Sequence, residues 1–188
     1  LREAAEAYNA ALAASPDRFL QTDEELAAYN ALLNPFENGI MGYVEIDKIG
    51  VKLPIYHGTD DSVLQVGAGH VVGTSLPIGG AGTHSAISGH SGLPSALLFT
   101  NLEQLKIGDT FSLHVLNDTL NYRVDQIQVV EPSDLTALDI VPDQDYCTLV
   151  TCTPYGINSP RLMVRGVRTQ DETPETVPAS AQTIETST

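Results

Sequence analysis

From Gly42 onward, the sequence is a succession of short alternating runs separated by turn residues, and this pattern constrains the fold more than any other feature. Hydrophobic residues recur with a period of two in these runs, as expected for strands with one buried face. A hairpin is predicted with arms 110–116 and 119–130 joined by Asn117-Asp118. Seven or eight short strands with few helices predict a mainly β domain, in which the strands form a closed or nearly closed barrel.

The first 40 residues predict helices instead of strands. Residues 1–14 are rich in Ala and Glu, which favour helix, and this run ends before Pro16. Thr22 and Glu25 have the spacing of a capping box, so a second helix is predicted from there to about residue 33. The expected division of the chain is N-terminal helices in 1–40, a β-barrel domain in 41–169, and a polar, disordered linker in 170–188.

The charge of the chain excludes some kinds of partner. Lys and Arg number 9 against 24 Asp and Glu, which gives a formal net charge of −15. Nucleic acids and anionic membrane surfaces attract basic proteins, so we expect this chain to bind neither through its charge. No apolar run reaches the roughly 18 residues of a membrane span. Because the sequence begins within a helical pattern and without Met, we expect any membrane anchors to lie outside it.

The segment 146–156 places a cysteine at the C-terminal end of a predicted strand. Cys152 follows β-branched residues, and Pro154 then interrupts the strand. Arg161 opens the next predicted strand, so a thiol and a guanidinium can face each other across a loop. Cys147 lies an odd number of residues before Cys152 and therefore on the opposite face, where we predict a buried, small hydrophobic side chain.

His90 is the candidate base that would activate the Cys152 thiol. A cysteine nucleophile needs a base or a cation, because the pKa of a free thiol is about 8.5. His90 ends a predicted strand beside Gly89 and Gly92, where flexible backbone lets a side chain face a cleft. Arg161 offers a planar, permanently charged donor group for an oxyanion. On residue types alone, an alternative stays open, namely a surface histidine and a core cysteine without catalytic roles.

A resemblance to a known family strengthens the catalytic interpretation. Residues 148–152, Thr-Leu-Val-Thr-Cys, with Arg161 nine residues later, resemble the Thr-Leu-x-Thr-Cys and arginine signature of sortases. Residues 88–90, Ser-Gly-His, resemble the histidine segment of the same family. The stretches 39–46 and 53–59 are similar to the class C, pilus-assembling branch. The resemblance covers the whole β region.

The resemblance implies an eight-stranded β-barrel and a cysteine transpeptidase that needs no metal or other cofactor. The Cys152 thiolate would cleave an LPXTG-like sorting signal between Thr and Gly and keep the acyl group as a thioester. His90 would protonate the leaving amine and then deprotonate the acceptor, a lysine amine of a pilin subunit. Arg161 would orient the substrate and stabilise the oxyanion. The implied location is the extracellular face of the cell membrane of a Gram-positive bacterium.

The class C resemblance also implies an N-terminal lid of the form Asp-Pro-aromatic. Asp17-Arg18-Phe19 has the acid and the aromatic residue, with Arg where Pro is expected. The segment 34–36, Asn-Pro-Phe, has Pro and the aromatic residue without the acid. We favour the first segment because it lies between two helices, with Asp17 pairing with Arg161 and Phe19 covering the catalytic thiol. In the alternative, Asp17 only ends a turn and Phe19 belongs to the core.

Other interpretations stay open beside pilus polymerisation. The same residues suit a cysteine hydrolase, in which water resolves the acyl enzyme, or a housekeeping enzyme that anchors proteins to the cell wall. A cell-surface binding barrel without catalysis is the third alternative. His84 lies six residues before His90, on the same face of one strand, and we expect it to be a structural histidine with satisfied hydrogen bonds.

Overall fold

The computed structural model of the protein describes residues 1–15, 18–35, 37–59, 61–64, 67–89, 99, 102–131, 134–152 and 160–169, apart from the side chains of residues 61, 62 and 152. The strands in these ranges are β1 (Ile40–Ile46), β2 (Val51–His57), β3 (Ala68–His70), β4 (Thr83–Gly89), β5 (Thr110–Val115), β6 (Asp118–Val130), β7 (Asp145–Cys152) and β8 (Arg161–Arg168). The helices are α1 (Arg2–Ala13), α2 (Asp23–Ala31) and α3 (Asp61–Leu64), with 3-10 turns at Asp47–Ile49, Leu102–Gln104 and Thr136–Leu138.

The eight strands of the described ranges close into a barrel in the order β1-β2-β3-β4-β7-β8-β6-β5. The pairs β2–β3 and β4–β7 are parallel, and the remaining neighbours are antiparallel. The prediction of a mainly β, closed eight-stranded barrel is therefore confirmed. Alternate residues of each strand point into the barrel and form its main core, which includes Val44, Ile55, Ile87, Phe111, Leu149 and Val164.

The two N-terminal helices pack on the main core, and each also forms hydrogen bonds with the barrel domain. In α1, Asn9 is buried and exchanges two hydrogen bonds with the backbone of Leu76. In α2, the fully buried Tyr29 places its hydroxyl 2.7 Å from Nδ1 of His70. The capping box predicted at Thr22 is present at the start of α2. Among the described residues, we find no helix that combines the length and the hydropathy needed to span a membrane.

The predicted hairpin is present, but its turn lies one residue earlier than the sequence indicated. Leu116 and Asn117 are the two turn residues, and both have positive φ, of 52° and 72°. Asp118 already belongs to β6. Two positive φ values are what a two-residue turn needs to match the twist of its strands, and the pairing of Val115 with Asp118 fixes that turn. The division of the chain at residues 40 and 169 stays a prediction, and the linker 170–188 lies outside the described residues.

Candidate active site

Strand register brings the candidate cysteine and arginine together. Cys152 is the last residue of β7, and its cross-strand partner is Arg161, the first residue of β8. Directly opposed residues of antiparallel strands have Cα atoms about 4.5–5.5 Å apart. On the other side of β7, Thr151 pairs with Gly89, the last residue of β4. The ends of β4 and β7 and the start of β8 therefore lie side by side at one edge of the barrel.

His90 follows Gly89 in the sequence, but it lies outside the described residues, as do Asp17 and the side chain of Cys152. The meeting of His90, Cys152 and Arg161 side chains thus stays a prediction. Gly89 ends β4 and Cys152 ends β7, and these two neighbouring strand ends define the edge of the barrel at which we expect the site.

Close packing at the end of β4 explains the glycine that precedes His90. Gly89 is buried, and a Cβ atom built on it would come within 2.7 Å of the Phe99 ring. Phe99 is fully buried in the main core. A larger residue at position 89 would have to displace this ring, so the direct contact requires glycine here.

A second apolar cluster lies on the outer face of β4, β7 and β8. Thr148 and Val150 alternate along β7 with Cys147 and Leu149, which belong to the main core. We call the second group the outer-face cluster; its buried members are Ala86, Leu138, Val150 and Met163, and Phe19, Val71, Val130 and Ala137 pack against it. Val150 and Met163 are cross-strand partners two residues along the strands from the pair Cys152 and Arg161. The cluster thus borders the candidate site.

An arginine holds the N-terminal segment on this cluster. Arg18 donates from one guanidinium nitrogen to the carbonyl of Gly73, at 2.7 Å, and from the other to the carbonyl of Leu138, at 2.8 Å. Its guanidinium also lies 4.3 Å from the centroid of the Phe19 ring. Gly73 has a φ of +95°, and a Cβ atom there would lie 2.6 Å from the Arg18 carbonyl oxygen. Arg18 thus fastens Phe19 against the outer-face cluster.

The structure therefore places one of the two predicted lid residues, Phe19, against the outer-face cluster. Nothing in the residue types indicated that Arg18, which replaces the expected Pro, would bind two carbonyl groups from separate loops. In the alternative lid segment, Asn34 accepts a hydrogen bond from the backbone of Gly39, at 2.9 Å, and Phe36 lies outside the described residues.

His84 is also on the outer face, and its two ring nitrogens both have partners. Nδ1 lies 2.9 Å from the Asp139 carbonyl oxygen, and Nε2 lies 2.6 Å from the Thr148 hydroxyl. Burial lowers the pKa of His84 to about 4, although its bond to Asp139 opposes this shift. The expectation of a structural, hydrogen-bonded histidine agrees with these contacts.

Cys147 has the environment of an inert thiol. Its side chain is completely buried, and burial raises the pKa of the thiol well above its ordinary value. The negative charge of Asp145 raises the pKa further. Cys147 therefore remains protonated at neutral pH. Among the described residues, no group of three or more His, Cys, Asp or Glu side chains is arranged to hold a metal ion.

The comparisons with known proteins agree with this architecture. A closed eight-stranded barrel, with a cysteine and an arginine paired across two strand ends, is the arrangement that the sequence resemblance implies for a sortase. The sortase domain family matches residues 44–169, more than half of the chain, and the chain belongs to this family.

The solved structures most similar to this chain include class C sortases. Sortase C1 from Streptococcus agalactiae is 50% identical, with a TM-score of 0.86 over 91% of this chain and 89% of that one. Sortase C from Clostridium perfringens, solved with the C-terminal cell wall sorting motif, is 45% identical, with a TM-score of 0.76 over 90% and 87%.

The match to a curated relative covers a smaller share of that protein's length than the matches to the solved structures do. Sortase A of Streptococcus agalactiae is 31% identical over 117 residues, which are 61% of this chain and 47% of that protein. The chain thus spans about half the length of this relative.

Proposed function

We propose that this protein is a cysteine transpeptidase of the class C type. It cleaves an LPXTG-like sorting signal between Thr and Gly, and it joins the acyl group to a lysine amine of a pilin subunit. The observation that carries this proposal is the register that pairs Cys152 with Arg161 beside Gly89, which precedes His90. Membership of the sortase family supports the reaction class, and similarity to class C structures supports pilins as substrates.

In the proposed reaction, the Cys152 thiolate attacks the carbonyl carbon of the substrate Thr. The tetrahedral intermediate carries an oxyanion, and the Arg161 guanidinium stabilises this charge. When the intermediate collapses, the C–N bond breaks, His90 gives its proton to the leaving Gly amine, and a thioester remains on Cys152. The neutral His90 then takes a proton from the acceptor lysine amine, which attacks the thioester and releases the thiolate.

The outer-face cluster is the proposed binding site for the apolar residue of the sorting signal. Its members Val150 and Met163 lie two residues along the strands from Cys152 and Arg161 and offer buried apolar surface to a leucine side chain. The C. perfringens relative solved with a sorting motif supports recognition of such a signal by this fold.

Phe19 occupies this cluster in the structure, which supports its assignment to a lid. An aromatic ring and a leucine side chain cannot fill the same apolar site together, so the segment must move before the sorting signal binds. We include Asp17 in the lid, as the sequence resemblance implies. The proposed location is the extracellular face of the cell membrane of a Gram-positive bacterium, which is where a pilin-joining enzyme meets its substrates.

The test is acyl transfer from a fluorescent LPXTG peptide, with and without a lysine-containing pilin fragment. We expect a new product in which the peptide's threonine is joined to the lysine ε-amine, and we expect Cys152→Ala to abolish it. Release of the free acid alone, whether or not the amine is present, would contradict transpeptidation and favour the hydrolase. No cleavage at all, after the lid is opened by Phe19→Ala, would contradict the enzyme itself.

A further inference from the structure

His84 is a buried side chain of β4 for which the proposed reaction provides no role. It is 1% exposed, and its ring packs against Tyr146 with a centroid separation of 5.3 Å. It lies five residues before Gly89, which is about 16 Å along an extended strand. His84 is therefore too far from the end of β4 to exchange a proton with the reacting groups.

The hydrogen bonds of His84 define which ring nitrogen carries the proton. The Asp139 carbonyl oxygen can only accept, so Nδ1 carries the hydrogen and donates across 2.9 Å. Nε2 then presents a lone pair, and the Thr148 hydroxyl donates to it across 2.6 Å. Because burial disfavours the charged ring, His84 stays neutral at physiological pH in this tautomer. One direct consequence is a fixed link from β4 to the backbone of Asp139.

Asp139 closes a turn that forms one side of the outer-face cluster. We call residues 136–139 the wall turn. Leu138 is 2% exposed and belongs to the cluster, and Ala137 packs against it. The Leu138 carbonyl is one of the two acceptors of Arg18. The bond from His84 therefore fixes the part of the chain that supplies both an apolar wall and a polar anchor point.

We propose that His84 is a positioning residue for recognition of the sorting signal: it holds the wall turn at the distance at which the outer-face cluster fits a leucine side chain. This inference rests on the proposed function, in which the cluster binds that leucine. Its action is through the Asp139 carbonyl and Leu138, and not through contact with the substrate. His84 therefore affects the preference for leucine over smaller residues more than it affects the chemical step.

The test measures peptide binding without catalysis, in a protein that carries Cys152→Ala to stop acylation and Phe19→Ala to open the cluster. The probes are the peptides Leu-Pro-Glu-Thr-Gly and Ala-Pro-Glu-Thr-Gly, measured by calorimetry. Three further changes are compared in this background. His84→Leu removes the donor to Asp139, His84→Asn keeps a donor at the place of Nδ1, and Thr148→Val keeps His84 but removes its second partner. Melting temperatures are recorded for each protein.

We expect His84→Leu to weaken binding of the leucine peptide about tenfold and that of the alanine peptide less than twofold, so that the preference is lost. His84→Asn and Thr148→Val are expected to keep the preference within about twofold, because the link to the wall turn remains. Should His84→Leu unfold, His84→Met replaces it as the variant without a donor to Asp139: loss of the preference in His84→Met supports the inference, and an unchanged preference overturns it.

Two results would overturn the inference alone. The first is an unchanged preference in a folded His84→Leu protein, and the second is equal loss in His84→Leu and His84→Asn. A background protein that binds neither peptide would instead contradict the proposed function, and the inference would fall with it. Failure of the inference and failure of the proposed function are distinguishable, because only the first is seen when the background protein binds the peptides.

Discussion

The two faces of the sheet formed by β4, β7 and β8 differ in what they contact. On the inner face, Cys147 and Leu149 pack with other apolar side chains in the main core. On the outer face, Thr148 and Val150 meet the wall turn, His84 and the segment that carries Arg18. Both faces are buried, and the outer face is covered by the wall turn and by the segment that carries Arg18.

This difference indicates how one strand serves both stability and function. The inner face needs only apolar side chains of the right size, since nothing there has to leave. The outer face is closed by separable pieces, which are held by a small number of hydrogen bonds to backbone carbonyls. In the proposed lid movement, this covering opens while the barrel stays folded and gives a peptide access to Cys152.

The largest expected effect is on kcat for acyl transfer, and it distinguishes two arginines of β8. Arg161→Lys retains the charge but loses the planar donor pair, and we expect kcat for acyl transfer to fall about 100-fold or more. Arg165 is the control, because it holds Asp125 with two hydrogen bonds of 2.9 Å and stacks on Tyr146. We expect Arg165→Lys to change kcat less than threefold. Equal kcat losses in both variants would remove Arg161 from the chemistry.

The pH dependence of stability tests how tightly the outer face is packed. The pKa of His84 and that of the fully buried His70 are both lowered to about 4 by burial. The unfolded chain binds these protons at about pH 6.5, so the free energy of unfolding falls as the pH is lowered from 6.5 towards 4. Between pH 7 and 5 we expect a loss of about 2 kcal/mol per histidine, measured by urea denaturation.

The variant His84→Asn distinguishes the contribution of His84 to the pH dependence of stability from that of His70. It removes the titrating group of the outer face and keeps the donor to Asp139. We expect about half of the pH-dependent loss to remain, from His70. A loss of the same size as in the parent protein would mean that the outer-face histidine is hydrated and already titrates normally in the folded state.

The smallest effect concerns access to the site. Phe19 packs on the outer-face cluster, whereas its neighbour Leu20 is 75% exposed. We expect Phe19→Ala to accelerate modification of Cys152 by a small thiol reagent several-fold, and Leu20→Ala to leave the rate unchanged. If the parent protein already reacts as fast as Phe19→Ala, the segment does not restrict access to the thiol.

The barrel could be predicted because the sequence features that indicate it are local and recur along the chain. Period-two runs, turn residues and the capping box at Thr22 each depend on neighbouring residues, and all of them agree with one fold. The hairpin turn was misplaced by one residue because Leu116 adopts a positive φ that its residue type does not favour. Cross-strand pairing, and not local preference, decides such a position.

The surroundings of the site could not be predicted in the same way. Arg18 and Leu138 lie 120 residues apart, and the acceptor is a backbone carbonyl, a group that every residue supplies. The same holds for His84 and Asp139. Side-chain bonds to backbone groups leave no mark in the residue types, so the sequence indicated His84 only as a structural histidine and Arg18 only as a departure from the lid pattern.

The proposed nucleophile is Cys152, at the end of β7, and not Cys147, whose side chain lies in the main core. Mass spectrometry of the protein after incubation with an LPXTG peptide, followed by proteolysis, locates the acyl group directly. We predict a thioester on Cys152, none on Cys147, and no adduct in the Cys152→Ala protein. An acyl group on Cys147, or an adduct that survives Cys152→Ala, would contradict the account.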